Sequence, residues 1–365
     1  MVSPCLTIDL DKIENNARSI VELCKGRGIE VAGVTKGVCG HAGVARAMLR
    51  GGVSAIADSR LENIQRLKVA GLRTSWMLLR IPPLSGVEAV VDAVDVSLNS
   101  ELAVLAGLSA AALQQGKVHD VILMVDLGDL REGIMPHELA PLVAQAVRLP
   151  GIRIRGLGAN LACFSGVVPG EDNMQRLVDL AVEIERGFDL SLEWVSGINS
   201  SGLELVNAGH MPGRVNHARI GEAILLGCET TRRRPWPGTW QDAFVLQAEV
   251  LELKRKPSLP QGKCSEDAFG RRPQFEDRGT MLRALLNVGR EDVDVNGIAP
   301  LDTRLTVLGA SSGYLVVDAT LATGDIRVGD TLVFTLNYSA LLTAMTSEYV
   351  KKRPLEKSVP AAGEG

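Results

Sequence analysis

No apolar run in this sequence approaches the ~20 residues needed to cross a bilayer. The opening MVSPCLTIDLDKIE shows no basic segment followed by an apolar stretch, so neither a membrane span nor a signal peptide is expected. Basic residues are not in excess: 39 Lys and Arg stand against 43 Asp and Glu, a net charge of −4. That balance gives no sign of a basic nucleic-acid surface, and no nucleic-acid partner is expected. The six cysteines, Cys5, Cys24, Cys39, Cys163, Cys228 and Cys264, form no CxxC pair, and the five histidines add no metal-ligand spacing. Zinc or iron–sulfur chemistry is therefore not expected, and a reduced cytoplasmic protein without a metal is. No internal repeat stands out beyond a strand–helix alternation.

With 46% hydrophobic residues in 365, the chain can bury one large core and a second, smaller one. Between residues 31 and 220, short apolar runs alternate with amphipathic stretches. The runs are Val31–Lys36, Ser54–Asp58, Ser75–Leu79, Ala93–Ser97, Asp120–Asp126, Ile154–Ala159, Leu192–Ser196 and Val215–Ile220. Such runs read as buried parallel strands. Helical patterns lie between them at Gly43–Arg50, Leu61–Ala70, Ser100–Gln115, Glu138–Arg148 and Asp172–Arg186. Eight such units, roughly 25 residues apart, predict an α/β protein with an N-terminal (β/α)8 TIM-like barrel over residues 11–230. A doubly wound sheet is the competing architecture. It carries a Gly-rich loop after its first strand, and here the first strand ends in a lysine.

After Gly227 the composition shifts. TTRRRPWPGTW reads as a linker, broken by Pro235 and Pro237. FVLQAEVLELK, LTVLGASSGYLVVDAT and DTLVFTLNY then predict a mainly antiparallel β domain over residues 236–350. Residues 1–10 are assigned to it, because Cys5–Leu10 reads as a strand that could pair there. Residues 351–365 are polar and contain proline, and a disordered tail is expected.

In a barrel, the loops after the strands build the active site. Lys36 ends the first strand in AGVTKGVCGH. A lysine there either snorkels outward or is neutralised, for example as an imine with an aldehyde cofactor. Arg219 ends the eighth strand in NHARIGEAILLG and by itself reads as the structural partner of a carboxylate such as Glu222. Arg131, in MVDLGDLREG after the fifth strand, suits bidentate carboxylate recognition or pairs with Asp126 or Asp129. Asn199–Ser200–Ser201–Gly202 opens a helical stretch and reads as a phosphate cradle or a simple N-cap. Asp58 and Arg60 close the second strand, where they orient Lys36 or form an ion pair and helix cap.

The segments GVTKGVCG, ADSRLENI, ANLACFSGVVPGEDN, EDAFGRRPQFEDRG, VGREDVD, LGASS and TSEYV resemble the alanine racemase superfamily, and more closely its alanine/ornithine racemase branch. The resemblance runs from about residue 5 to 350. It implies a fold-type-III pyridoxal 5'-phosphate enzyme acting on an amino acid. Lys36 would hold the cofactor, Arg219 would donate to its ring nitrogen, and Asn160 would contact the ring where alanine racemases place a histidine. Ser200, Gly221, Glu222 and Tyr338 would hold the phosphate, and Arg131 the substrate carboxylate. Met124 stands where alanine racemases carry a lysine, and Cys39 where they carry a phosphate-binding tyrosine. The resemblance also implies a homodimer with active sites at its interface, and ornithine or another basic amino acid as substrate. Glu266, Asp267 or Asp292 could receive a side-chain ammonium.

Racemisation needs proton-bearing groups on both faces of Cα. Lys36 serves one. Phe269 replaces the family tyrosine that serves the other, so Asp267 and Tyr314 become the candidates, with Cys264 and His210 behind them. A buried packing tyrosine is the alternative for Tyr314. Two further functions stay open: a decarboxylase, aldolase or epimerase using the same cofactor, and a cofactor-binding protein without turnover.

Overall fold

The computed structural model describes residues 3–355. They divide into two units, Leu10–Gln241 and, together, residues 3–9 and 242–355. The chain opens with β1 (Cys5–Asp9) and α1 (Leu10–Lys25). Leu10, Ile13, Ala17, Ile20 and Cys24 recur three or four residues apart on α1 and are all buried, as an amphipathic helix requires.

Eight strands build the larger unit: β2 (Glu30–Val34), β3 (Ala55–Asp58), β4 (Ser75–Leu78), β5 (Val96–Asn99), β6 (His119–Met124), β7 (Ile152–Gly158), β8 (Trp194–Ser196) and β9 (His217–Ile220). They pair in sequence from β2 to β8, and β9 returns beside β2. A parallel bridge between Ile198 and Ala218, with the Asn216 amide donating to the Val195 carbonyl at 3.2 Å, closes β8 against β9. The result is the expected parallel barrel. Its interior is filled by Ala32, Val34, Ala57, Met77, Leu98, Ile122, Met124 and Trp194, from alternate positions on the strands. Gly156 is required on β7, because a Cβ there would lie 2.2 Å from the Trp194 carbonyl oxygen. The connecting helices are α2 (Ala42–Arg50), α3 (Leu61–Val69), α4 (Val87–Ala93), α5 (Leu102–Gln114), α6 (Leu139–Ala146), α7 (Glu171–Phe188), α8 (Leu203–Asn207) and α9 (Glu222–Leu226).

The stretch read as a linker is part of this unit. Asn16 of α1 donates to the Ile224 and Trp240 carbonyls and accepts from the Trp240 amide. Asn15 and Ser19 donate to the Gly238 carbonyl, and the Lys12 ammonium lies 5.2 Å from the Trp240 ring centroid. Pro235 and Pro237 prevent helix without preventing order, since side chains of α1 satisfy the irregular backbone. Residues 236–241, expected in the β domain, therefore belong to the barrel unit.

The smaller unit contains β10 (Phe244–Pro257), β11 (Thr280–Leu286), β12 (Ile298–Pro300), β13 (Thr306–Ala310), β14 (Leu315–Asp318), β15 (Thr331–Leu336), α10 (Tyr338–Thr346) and β16 (Lys351–Leu355). Its antiparallel order is β12-β15-β10-β11-β14-β13. β1 lies antiparallel to β10 on one side and parallel to β16 on the other. The disordered tail is thus corrected for Lys351–Leu355, which form an edge strand. Backbone bonds carry that pairing. Lysine, arginine and proline are the residues an edge strand takes to discourage further pairing, so a polar composition did not imply disorder. The expectation for residues 356–365 lies outside the described residues.

Candidate active site

The residues of interest in the barrel unit follow the C-terminal ends of its strands. Lys36 opens a 3-10 turn just beyond β2. The Thr35 hydroxyl donates to Asp58 Oδ2 at 2.8 Å, and Asp58 Oδ1 accepts from the Arg60 amide and the Asn63 side chain at 2.9 and 3.0 Å. Burial pushes the Asp58 carboxyl up, while those donors pull it back. Asp58 thus fixes the residue preceding Lys36. It bonds the Arg60 backbone, not its guanidinium.

Arg219 ends β9 with 6% of its surface exposed. Its Nη1 donates to the Ser196 carbonyl at 2.8 Å and to the Ser196 hydroxyl, and its Nη2 to the Ala159 carbonyl at 2.7 Å. All three acceptors are neutral. The alternative partner, Glu222, pairs with Arg233 instead. Burial brings the Arg219 pKa down to about 10, with Glu132 opposing and Arg131 reinforcing the shift. The group therefore keeps its charge at neutral pH.

The excursion after β6 is folded tightly back. Asp126 accepts from the Gly128 and Leu130 amides, and its own amide donates to the Ile134 carbonyl at 3.0 Å. Gly133 sits at φ +145°, where a Cβ would lie 2.4 Å from the Asp126 nitrogen. Asp129 binds the loop after β7 through the amides of Cys163, Phe164 and Ser165. Neither aspartate pairs with Arg131, which donates to Glu132 at 2.5 Å. The Glu132 carboxyl is pushed up by burial and drawn down by the charges of Arg131, Arg219 and Lys36. Its carboxylate lies in the field of all three cations, and the motif reading missed it. The signal was an acidic residue directly following a loop arginine, which by itself looks like a solvated pair.

Asn199 joins the next loops. Its Nδ2 donates to Asn160 Oδ1 at 3.0 Å and to the Leu161 carbonyl at 2.7 Å, and its Oδ1 accepts from the Ser201 amide. The Ser200 hydroxyl accepts from the Ala223 amide at 3.1 Å. The loops after β7, β8 and β9 are linked in this way, with Asn160, Ser200, Gly221 and Glu222 in them. Among the described residues no cluster of three or more His, Cys, Asp or Glu is placed to hold a metal, and no helix is long and apolar enough to cross a membrane.

The sequence model of the alanine racemase N-terminal domain matches residues 8–228. The chain belongs to the alanine racemase family. Among members of that family, an ornithine racemase of Acetoanaerobium sticklandii is 43% identical over 353 residues, covering 96% of this chain and 99% of the relative. A lysine racemase of Thermotoga maritima is 38% identical, covering 96% and 98%. The crystal structure of alanine racemase from Bartonella henselae with covalently bound pyridoxal phosphate shares the fold at a TM-score of 0.71 and 19% identity, covering 97% of this chain and 99% of that one.

The remaining family candidates lie in the smaller unit. Asp267 shapes a turn, accepting from the Phe269 and Arg271 amides at 2.9 Å each. Those amides hold its carboxyl below the usual range. Tyr314 precedes β14 with 51% of its surface exposed, so the reading of a buried packing tyrosine is overturned. Tyr338 is the first residue of α10, capped by Asn337. Asp292 is buried and accepts from the Gly289 amide at 2.8 Å, which leaves it a turn-forming residue.

Proposed function

We propose that this protein is a pyridoxal-phosphate-dependent racemase of basic amino acids, interconverting L and D forms by removing and returning the Cα proton. The observation that carries the reading is the similarity to an ornithine and a lysine racemase over nearly the whole chain.

The residues present suit the cofactor. Arg219 is a buried cation bonded only to neutral oxygens, and its Nε–H and one Nη2 hydrogen are not used in those bonds. Such a group fits an uncharged ring nitrogen. Pyridoxal phosphate supplies an aldehyde that joins an amino group and a ring that delocalises the electron pair left at Cα. Lys36 would hold the aldehyde carbon and, once the substrate amine displaces it, would move the proton on one face of Cα. Arg219 does not give up its proton readily, so a ring nitrogen held by it would stay an acceptor, which would limit delocalisation and favour return of the proton to Cα. Ser200, the amides of Gly221 and Glu222, and Tyr338 would hold the phosphate, with Asn160 beside the ring. Arg131 would receive the substrate carboxylate, exchanging its contact with Glu132. Asp267 or Tyr314 would serve the second face. A homodimer with active sites at its interface, and a cytoplasmic location, belong to the same proposal.

The test is the absorption spectrum of the purified protein, followed by incubation in D2O with L-ornithine, L-lysine, L-alanine and L-serine. Chiral chromatography and α-deuterium incorporation are the readouts. A visible cofactor band that is lost in Lys36→Ala, with D-ornithine or D-lysine formed fastest, is the expected result. Bound cofactor without α-proton exchange on any of the four would refute the racemase.

A further inference from the structure

Arg219 is a buried cation of the barrel, and what holds it is itself buried. Ser196 is fully buried, and the partners of its hydroxyl oxygen are Arg219 Nη1 and His217 Nδ1, the latter at 2.6 Å. A guanidinium only donates. The serine oxygen therefore accepts from Arg219, and Nδ1 of His217 is the acceptor within reach of its own hydrogen; the opposite tautomer would leave that buried hydroxyl hydrogen unused. Nδ1 is then unprotonated, which places the imidazole proton on Nε2. The donor inventory fixes the bond from Arg219 to Ser196, and satisfying the buried hydroxyl hydrogen favours the direction from Ser196 to His217.

The imidazole is clamped from its other side. Its ring stacks on Trp194 with centroids 4.4 Å apart and planes 24° from parallel. The Arg155 guanidinium lies 3.7 Å from the Trp194 centroid and is tied to Glu193 at 2.7 Å and Asp120 at 3.3 Å. The charged groups around His217 are Arg219 on its own strand, Arg155 on β7, and Glu30, its exposed register partner on β2. Burial, reinforced by the charges of Arg219 and Arg155, lowers the His217 pKa to about 3.

We propose that His217 is a positioning residue: held neutral with its proton on Nε2, it takes the Ser196 hydrogen and so turns the serine oxygen toward Arg219, fixing the guanidinium that faces the cofactor ring. Ser196 and His217 act through Arg219. The consequence of this relay for the cofactor rests on the function proposed above, whereas the hydrogen-bond direction does not.

Nuclear magnetic resonance of histidine labelled with 15N tests the direction on protein without cofactor. His217 is expected as the neutral Nε2–H form down to about pH 5, where an ordinary histidine is protonated. An Nδ1–H form, or a midpoint above about pH 6, would overturn the proposal. The second arm measures the dissociation constant of pyridoxal phosphate and the pH dependence of its visible band. Ser196→Ala is expected to weaken binding about tenfold, the scale of one lost charge-assisted bond, and to shift the band's pH midpoint. His217→Leu should do the same. His217→Asn, whose amide oxygen can accept the serine hydrogen, should recover binding to within about twofold of wild type. Wild-type affinity and an unmoved midpoint in both Ser196→Ala and His217→Leu would overturn the positioning role. If the wild-type protein takes up no pyridoxal phosphate, the proposed function fails, and the tautomer measurement still decides the relay.

Discussion

Acidification from about pH 7.5 to about pH 5 should destabilise the barrel unit through two buried histidines. Burial lowers the His217 pKa to about 3, with Arg219 and Arg155 reinforcing it, and lowers that of His119 to about 4. His119 is built like His217, bonded through Nε2 to the Ser97 hydroxyl at 2.8 Å, and that serine accepts from Asn99. In the unfolded chain both titrate near 6.5. The unfolded state therefore binds protons the folded state refuses, so stability is intact above about pH 6.5 and falls as pH drops toward the folded values. At about pH 5 each histidine costs about 2 kcal/mol, and the two together about 4 kcal/mol. That is a large share of the roughly 5–15 kcal/mol of a typical domain. Asp58 and Glu132, whose carboxyls are raised by burial, act in the opposite direction, but nearer the carboxylate range. Urea unfolding in steps of pH, followed by tryptophan fluorescence, measures the slope for wild type, His119→Gln and His217→Gln. Each variant should lose about half of the pH dependence. A flat wild-type profile over this range, or variants with the wild-type slope, would refute the reasoning.

Three further outcomes are expected. Gly133→Ala forces a Cβ to within 2.4 Å of the Asp126 nitrogen at a φ of +145°, so the β6 loop must shift. KM for the amino acid should rise about tenfold as Arg131 is displaced, with circular dichroism unchanged. Asp129→Ala removes the acceptor of the Phe164 and Ser165 amides. Hydrogen exchange at these amides should accelerate by an amount equivalent to about 1–3 kcal/mol. Truncation after Val350 removes β16 and bares the edge of β1, so light scattering should show concentration-dependent association that the full chain lacks.

Much of the fold was legible because it is written in short-range pattern. Apolar runs of three to seven residues alternating with amphipathic segments specify buried parallel strands and their covering helices. A polar residue closing such a run, as Lys36 and Arg219 do, stands out against its neighbours. Other features depend on residues far apart in sequence. TTRRRPWPGTW looked like a linker because its order comes from Asn15, Asn16 and Ser19, more than 200 residues away. Lys351–Leu355 became a strand only because β1 offered an edge. Glu132 next to Arg131 reads as a surface pair until the folded loop brings it under the charges of Arg219 and Lys36. Ser196 and His217 carry no motif. Their meaning arises when β8 and β9 close the barrel, shutting out water and leaving Nδ1 of His217 as the acceptor within reach of the serine hydrogen. Local periodicity determined which segments are strands and helices. Only the closed tertiary structure decided which polar groups share a dry interior, because burial and hydrogen-bond direction are properties of the assembled fold.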